Sequence, residues 1–303
     1  MAVTERDIAP TSAVKSYTGR RPRADFVKRL FRQPRTWIAG CVILVFVVTA
    51  ITAPWISPLD PNKVYSQGLS AIGAPLPPGS GHFLLGTDEV GRDVLSRIIW
   101  GSRISIGVGI GATVVTLILG VIIGVTAGFY QNFVDTIFMR LADMFLAFPF
   151  VLFVVFVATI FRPSLLVIVL AIGILSWAPM ARIARSRTME LRNSLFVEAA
   201  RIEGASNLRI MWRHLLPNVI GTVFAYGLLQ VGTNITLESA LSYLGAGPPP
   251  PTPDWGAMVA EGQGAMSTAP WLFFIPGICI MLTVVAFNLL GDSWLRAANR
   301  SRR

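Results

Sequence analysis

Residues 197–218 read VEAARIEGASNLRIMWRHLLPN, a charged stretch set between two long apolar runs. Leu191, Leu195, Ala199 and Ile202 recur at helical spacing, which predicts an amphipathic helix over its first part. Gly204 follows the last periodic residue, where a left-handed C-cap favours glycine. Ser206 can then cap a second helix, although neither Glu nor Gln stands at the capping-box position. Leu208, Met211, Trp212 and Leu215 give that second helix an i, i+3, i+4, i+7 stripe, and Pro217 is expected to end it before the next apolar run. Two short helices with a tight corner suit a partner's groove better than they suit catalysis.

The chain around this stretch has membrane composition. Its 303 residues are 53% hydrophobic and only 14% charged, with a mean hydropathy of +0.61; a soluble domain carries about 25% charged residues. The net charge of +10 raises nucleic acid as a partner. The basic residues flank apolar runs and form no separate folded domain, which argues against that class. Cys41 and Cys279 fall inside apolar runs and read as buried free thiols, with no disulfide or metal site expected. His82 has no second histidine or cysteine near it to complete a metal site. Residues 1–35 are polar and basic before the first apolar run, so that run is expected to stay as an uncleaved anchor.

A helix needs about 20 mostly apolar residues to cross a bilayer. Charge-free windows predict six spans, roughly 37–57, 104–129, 136–161, 164–182, 218–243 and 270–291. Arg162-Pro163-Ser164 separates the third from the fourth. The domain plan is a basic tail over 1–36, the first span, and an external loop 58–103 with a short amphipathic helix. A five-helix core over 104–291 follows, containing the loop 183–217, and then a basic tail over 292–303. The tails and the 183–217 loop, with Arg185, Arg187, Arg192, Arg201, Arg209 and Arg213, share one side by parity, so both termini are expected to be cytoplasmic. The 244–269 loop has neither Lys nor Arg, as an external loop should.

Glu198-Ala199-Ala200, then Gly204 (with Ala205 and Ser206 at the corner), then Leu216-Pro217 resembles the "EAA" loop of ABC importer membrane subunits. His214 stands where the general pattern has isoleucine, as in the peptide-importer branch. Residues 82–103, HFLLGTDEVGRDVLSRIIWGSR, and 238–256, ESALSYLGAGPPPPTPDWG, look like external segments of the dipeptide/oligopeptide permeases, C-type subunit. Arg140-Leu141-Ala142-Asp143 with Pro149, and Pro58-Leu59-Asp60-Pro61, match as well. The resemblance implies an all-α polytopic fold of the type I ABC importer permease. It implies a multi-pass subunit of the bacterial cell membrane that forms half of a pathway for di- or oligopeptides. The other partners it implies are a second homologous permease, two ATP-binding subunits and an extracytoplasmic substrate-binding protein. Relatives moving nickel complexes, glutathione or other small solutes share the pattern. The chain has no G-x-x-x-x-G-K-[ST] loop, so ATP and Mg are expected in the partner ATPases, with no cofactor here and no enzyme activity.

Coupling to the ATPase is carried over to Glu198, Ala199, Ala200, Gly204, Ala205, Ser206, Leu208, Met211, Leu216 and Pro217. Asp88 to Arg92 reads as i, i+4 support on an external N-capped helix, and Asp88, Arg92, Asp93 and Trp255 are candidates for external docking. Pro248 to Pro251, with Pro253, should form a rigid external cap. Gly120, Gly124 and Gly128, and Gly107 with Gly111, predict close helix packing. Glu238 sits within or at the end of an apolar helix, where an ionisable group is expensive. Bundle pairing is its first reading and a place beside the substrate path its second. An ion-coupled secondary transporter is the competing class, although such machines usually carry several intramembrane acidic groups.

Overall fold

The computed structural model describes Leu30 and residues 33–147, 149–161 and 164–300. The basic tail before Leu30, Arg162-Pro163 and the last basic residues lie outside this range. Among the described residues the architecture is all-α, joined by turns and isolated bridges. The helices are α1 (Pro34–Ile56), α2 (Val94–Tyr130), α3 (Phe133–Ala147), α4 (Phe150–Ile160), α5 (Leu165–Leu175), α6 (Trp177–Arg192) and α7 (Leu195–Ile202). They continue with α8 (Asn207–Tyr243), α9 (Trp255–Gln263) and α10 (Trp271–Arg300).

Four helices, α1, α2, α8 and α10, are long and apolar enough to cross a membrane. The number reaches six when the bent pairs α3–α4, at 87°, and α5–α6, at 43°, each count as one span. The third and fourth spans are therefore broken, where straight helices were expected. Pro149 stands at the N-cap of α4, and Pro179 sits in the first turn of α6. A proline ring displaces the carbonyl four residues back and offers no N–H, so a helix cannot run straight through either site.

α2 corrects the predicted second span, because it begins at Val94 and not near 104. Its cap is Asp93, whose carboxylate accepts from the Ser96 amide at 2.8 Å. Its 37 residues reach about 55 Å at 1.5 Å per residue, well beyond the roughly 30 Å of hydrocarbon. Arg97 and Arg103 both stand in its first ten residues. The short amphipathic helix expected in the 58–103 loop is absent. Asp88 to Arg92 is a turn, and the loop before Val94 is held by contacts such as Thr87 Oγ1 donating to Gly68 O at 2.5 Å.

α2 is apolar all round and lies at the centre, against α1, α5, α6 and α8. Gly120, Gly124 and Gly128 make its contact with α6. A Cβ on Gly120 would lie 2.7 Å from Met180 Cβ, and one on Gly128 would lie 2.6 Å from the Arg185 carbonyl oxygen. Gly111 approaches Val169, whereas Gly107 has open space beside it. Asn234 of α8 is buried and donates to Thr113 Oγ1 of α2 at 3.0 Å, so it is a bundle residue. On α1, Trp37, Leu44, Val48, Ile51 and Trp55 form an exposed stripe. Cys41 shares it, so it is exposed in this chain and not buried as expected.

α10 runs to Arg300, nine residues past the predicted end of its span. The 244–269 loop holds α9, which was not anticipated. Asp254 caps α9 by accepting from the Gly256 and Ala257 amides at 2.7 and 3.4 Å.

Candidate functional site

The corner at Gly204 follows from three residues. Gly204 has φ +78°, a conformation that only glycine enters without steric cost. The Ala205 amide donates to Ala200 O and the Gly204 amide to Arg201 O, both at 3.0 Å. These 6→1 and 5→2 bonds form a Schellman closure of α7. Ser206 then caps α8, accepting from the Arg209 amide at 3.4 Å. The expected helix–corner–helix is present with these residues at its bend.

The first helix of the corner has two faces. Leu195 and Ile202 are 84% and 88% exposed, while Val197 and Ala200 are buried. Glu198 and Ala199 are exposed, and Ala205 is half-buried. The stripe on the second helix also divides, with Met211 and Leu215 buried and Leu208 and Trp212 exposed at 63% and 54%. Leu195, Ile202, Leu208 and Trp212 are thus uncovered large apolar side chains on the two helices that meet at the corner, and Leu208 and Trp212 line a groove with Val121 and Val125 of α2.

Pro217 does not end the second helix, as the sequence suggested. The chain passes from Asn207 to Tyr243 through a π-helical turn at Ile210–Leu215. There the Leu216 amide donates to Met211 O, five residues back. Pro217 has no N–H and its ring crowds the carbonyl four residues earlier, and the wider turn makes room for it. Asn218 Nδ2 satisfies the His214 carbonyl at 2.7 Å. Leu216 is half-buried and Pro217 exposed.

The inner face of the corner is continuous with the membrane helices. Val197, Ala200, Ile210, Met211 and Leu215 share one apolar cluster with Val125 and Phe129 of α2 and Met180 and Ala184 of α6. Arg192 and Arg201 lie 6.0 and 5.9 Å from the Phe129 ring centroid, within cation–π range. Asp135 of α3 receives Arg185 of α6 bidentately at 2.5 and 2.6 Å, and Asp143 of α3 receives Arg182. Close-packed side chains transmit displacement with little compression, so a force on the corner reaches α2, α6 and α8 together.

At the opposite end, the docking candidates separate. Asp88 and Arg92 form an ion pair at 2.5 Å. Asp88, Asp93 and Trp255 are all buried, which leaves Arg92, with a side chain 14% exposed, as the candidate nearest the surface. Asp93 caps α2. Trp255 donates from Nε1 to Ile98 O at 3.0 Å and stands edge-on to Phe46 of α1 at 5.5 Å. Its indole lies against Gly101, where a Cβ would come within 2.8 Å of Cδ1. Trp255 is a wedge between α1 and α2.

Glu238 is fully buried near the end of α8 and accepts from Ser242 Oγ at 3.2 Å and Ser239 Oγ at 3.3 Å. Ser242 Oγ also lies 2.7 Å from Asp254 Oδ2, so one hydroxyl bridges the end of α8 to the cap of α9. This placement favours bundle pairing over the substrate path. Arg97 and Glu261, which the sequence did not single out, complete the charged network at this end: Arg97 Nη2 reaches Glu261 Oε2 at 3.1 Å. Their signal was hidden because both stood in segments read as loop. Among the described residues no cluster of His, Cys, Asp and Glu could hold a metal.

Residues 120–303 match the model of the family described as binding-protein-dependent transport system inner membrane component. Residues 21–78 match the N-terminal TM domain of oligopeptide transport permease C. The chain is similar to the glutathione transport system permease protein GsiD of Pectobacterium atrosepticum, 35% identical over 94% of this chain and 93% of that one. It is 39% identical to the di/tripeptide transport system permease protein DppC of Pseudomonas aeruginosa, over 82% of each chain. With the oligopeptide transport system permease protein OppC of Haemophilus influenzae it shares 37% identity, over 88% of this chain and 84% of that one. The helical bundle, the helix–corner–helix and these matches agree, and the chain belongs to the family of binding-protein-dependent transport system inner membrane components.

Proposed function

We propose that this chain is the transmembrane permease subunit of an ATP-driven importer and forms half of the pathway for di- or oligopeptides. The observation that carries this is the set of uncovered apolar side chains, Leu195, Ile202, Leu208 and Trp212, on a corner whose inner face is packed onto α2, α6 and α8. A rigid corner with an apolar outer face is a handle for a partner that does work. In this reading the partner is a cytoplasmic ATP-binding subunit that holds ATP and Mg. A second homologous permease completes the pathway with its own ATPase, and an extracytoplasmic binding protein delivers the solute. Both termini and the corner are cytoplasmic, and the 58–93 segment and α9 are external.

ATP binding draws the two ATPases together, and each carries its docked corner with it. Because the corner moves with α2, α6 and α8, the cavity between the permeases exchanges inward for outward access. Turnover requires that the ATPase bind the two states of the corner unequally. The peptide class is supported by the names of the similar Pseudomonas and Haemophilus proteins, and glutathione by that of the Pectobacterium one.

The test is uptake by the complete importer in proteoliposomes, with labelled dipeptide and labelled glutathione in parallel. ATP-dependent accumulation that needs the binding protein supports the assignment. Accumulation driven by an ion gradient without ATP contradicts it. Orientation is checked by cysteine labelling in intact cells on a Cys41- and Cys279-free background. Lys63→Cys should react with an impermeant maleimide and Ser186→Cys should not; the reverse pattern overturns the assigned sides.

A further inference from the structure

Arg97 is 1% exposed, yet its guanidinium is poorly served. Its Nη2 takes both oxygens of Glu261, at 3.1 and 3.4 Å, whereas the strong arrangement is a fork of two parallel bonds to two nitrogens at about 2.7–2.9 Å. Nε lies 3.6 Å from Asp88 Oδ2, too far for a hydrogen bond, and neither Nε nor Nη1 has a hydrogen-bond partner. Asp88 cannot turn to help. Its Oδ1 accepts from the Val90 and Arg92 amides at 3.1 and 2.8 Å, and its Oδ2 from Arg92 Nε at 2.5 Å. Glu261 is the exposed half of the network: its side chain is 44% exposed, and it also accepts from Arg92 Nη2 at 3.3 Å, so it is held only by long contacts to two arginines.

These groups line a cavity of about 230 Å³, with Met258 and Leu272 as its apolar wall. That is below the roughly 300–1,000 Å³ that enclose a drug-sized ligand, so the space suits one inserted side chain and not a whole solute. Asp88, Glu89 and Glu261 outnumber Arg92 and Arg97 around it, which repels a dianion such as phosphate. A single carboxylate that replaces Glu261 leaves the charge unchanged, and with Nη2 released it can form the fork that Glu261 does not, to Nη2 together with Nε or Nη1 of Arg97.

We propose that the cavity between the 88–92 turn and α9 is a socket for an acidic side chain of the extracytoplasmic binding protein. Glu261 is the resident carboxylate that leaves when that side chain enters. This rests on the partner and the sides given under the proposed function. It fixes which buried cation recognises the partner and makes docking a charge-for-charge exchange.

The sign of one mutation tests it. The complete importer is placed in nanodiscs, and affinity for its binding protein is measured by biolayer interferometry. Glu261→Gln removes the competitor and is expected to tighten binding on the order of 5-fold, the scale of a modest interfacial charge effect. Glu261→Ala should act in the same direction and serves if the glutamine variant fails to assemble. Arg97→Lys, which keeps charge but loses the fork, should weaken binding and cancel the gain in the double variant. Unchanged or weaker binding by both Glu261 variants overturns the socket. So does direct capture of labelled dipeptide by Glu261→Gln without the binding protein, since the guest would then be the solute. Failure of the wild-type importer to bind its binding protein at all is a different result, and it refutes the partnership beneath the proposal.

Discussion

Gly204 offers a perturbation whose cost can be worked out in advance. Its φ is +78°, and a Cβ built on it meets no heavy atom within 4 Å. A side chain there therefore costs backbone strain alone, about 1–2 kcal/mol for an ordinary L-residue, or a factor of about 5–30 in the population of the closed corner. Asparagine enters the left-handed region more readily than alanine does, although it is larger. Valine is worst, because its branched side chain tolerates positive φ least. The expected order of ATP-driven uptake is thus glycine, asparagine, alanine, valine, with alanine down about 5-fold or more. Subunit level in the membrane should stay normal throughout, since the spans are untouched, while recovery of the ATPase on pull-down should follow uptake. If Gly204→Val transported like wild type, the corner would not matter. If loss followed side-chain volume, with asparagine below alanine, strain would be the wrong cause.

The glycine seam makes an opposite, steric prediction. A Cβ on Gly124 lies 2.7 Å from Ala184 Cβ, so Gly124→Val should overpack α2 on α6 by about 1–3 kcal/mol. It should lower the melting temperature of detergent-solubilised subunit, while Gly107→Ala, facing open space, should leave it unchanged; equal effects would refute the packing account. For Glu238, held by two serines, Glu238→Gln should keep most uptake, and Glu238→Leu, which takes the acceptor from Ser239 while Ser242 keeps Asp254, should lower subunit recovery. Loss of uptake in a well-assembled Glu238→Gln importer would return this residue to the pathway.

Much of this was legible in the sequence for a physical reason. Backbone geometry at Gly204, the cap at Ser206 and the seam at Gly120, Gly124 and Gly128 depend on residue type and spacing, which are written locally. What failed was anything decided by a neighbour. Leu195 and Ile202 have helical period, but period cannot say whether the apolar face is buried within the chain or kept for another one. The π-helical turn before Pro217 was invisible, because a proline reads as a stop unless the preceding turn widens. The sequence starts α2 ten residues late because the charge of Arg103 marks the edge of the apolar window. A helix longer than the bilayer carries charge on its overhang without ending. Asp93 and Trp255 read as surface groups because they stand in an external segment; one is buried as a cap and the other as a wedge.

The central claim is that the ATP-binding subunit sits on the corner and covers its exposed apolar side chains, Leu195, Ile202, Leu208 and Trp212. It is tested by placing a photo-crosslinking amino acid, one position at a time, at Ile202 and Leu208, with buried Val197 as the control, in the complete importer. Illumination of the resting complex should join Ile202 and Leu208 to the ATP-binding subunit, with the crosslinked peptides identified by mass spectrometry, and the yield at one or both sites should change when ATP is bound. Val197 should give no such product. Crosslinks from Ile202 and Leu208 to lipid or to the second permease, with none to the ATPase, would contradict the account.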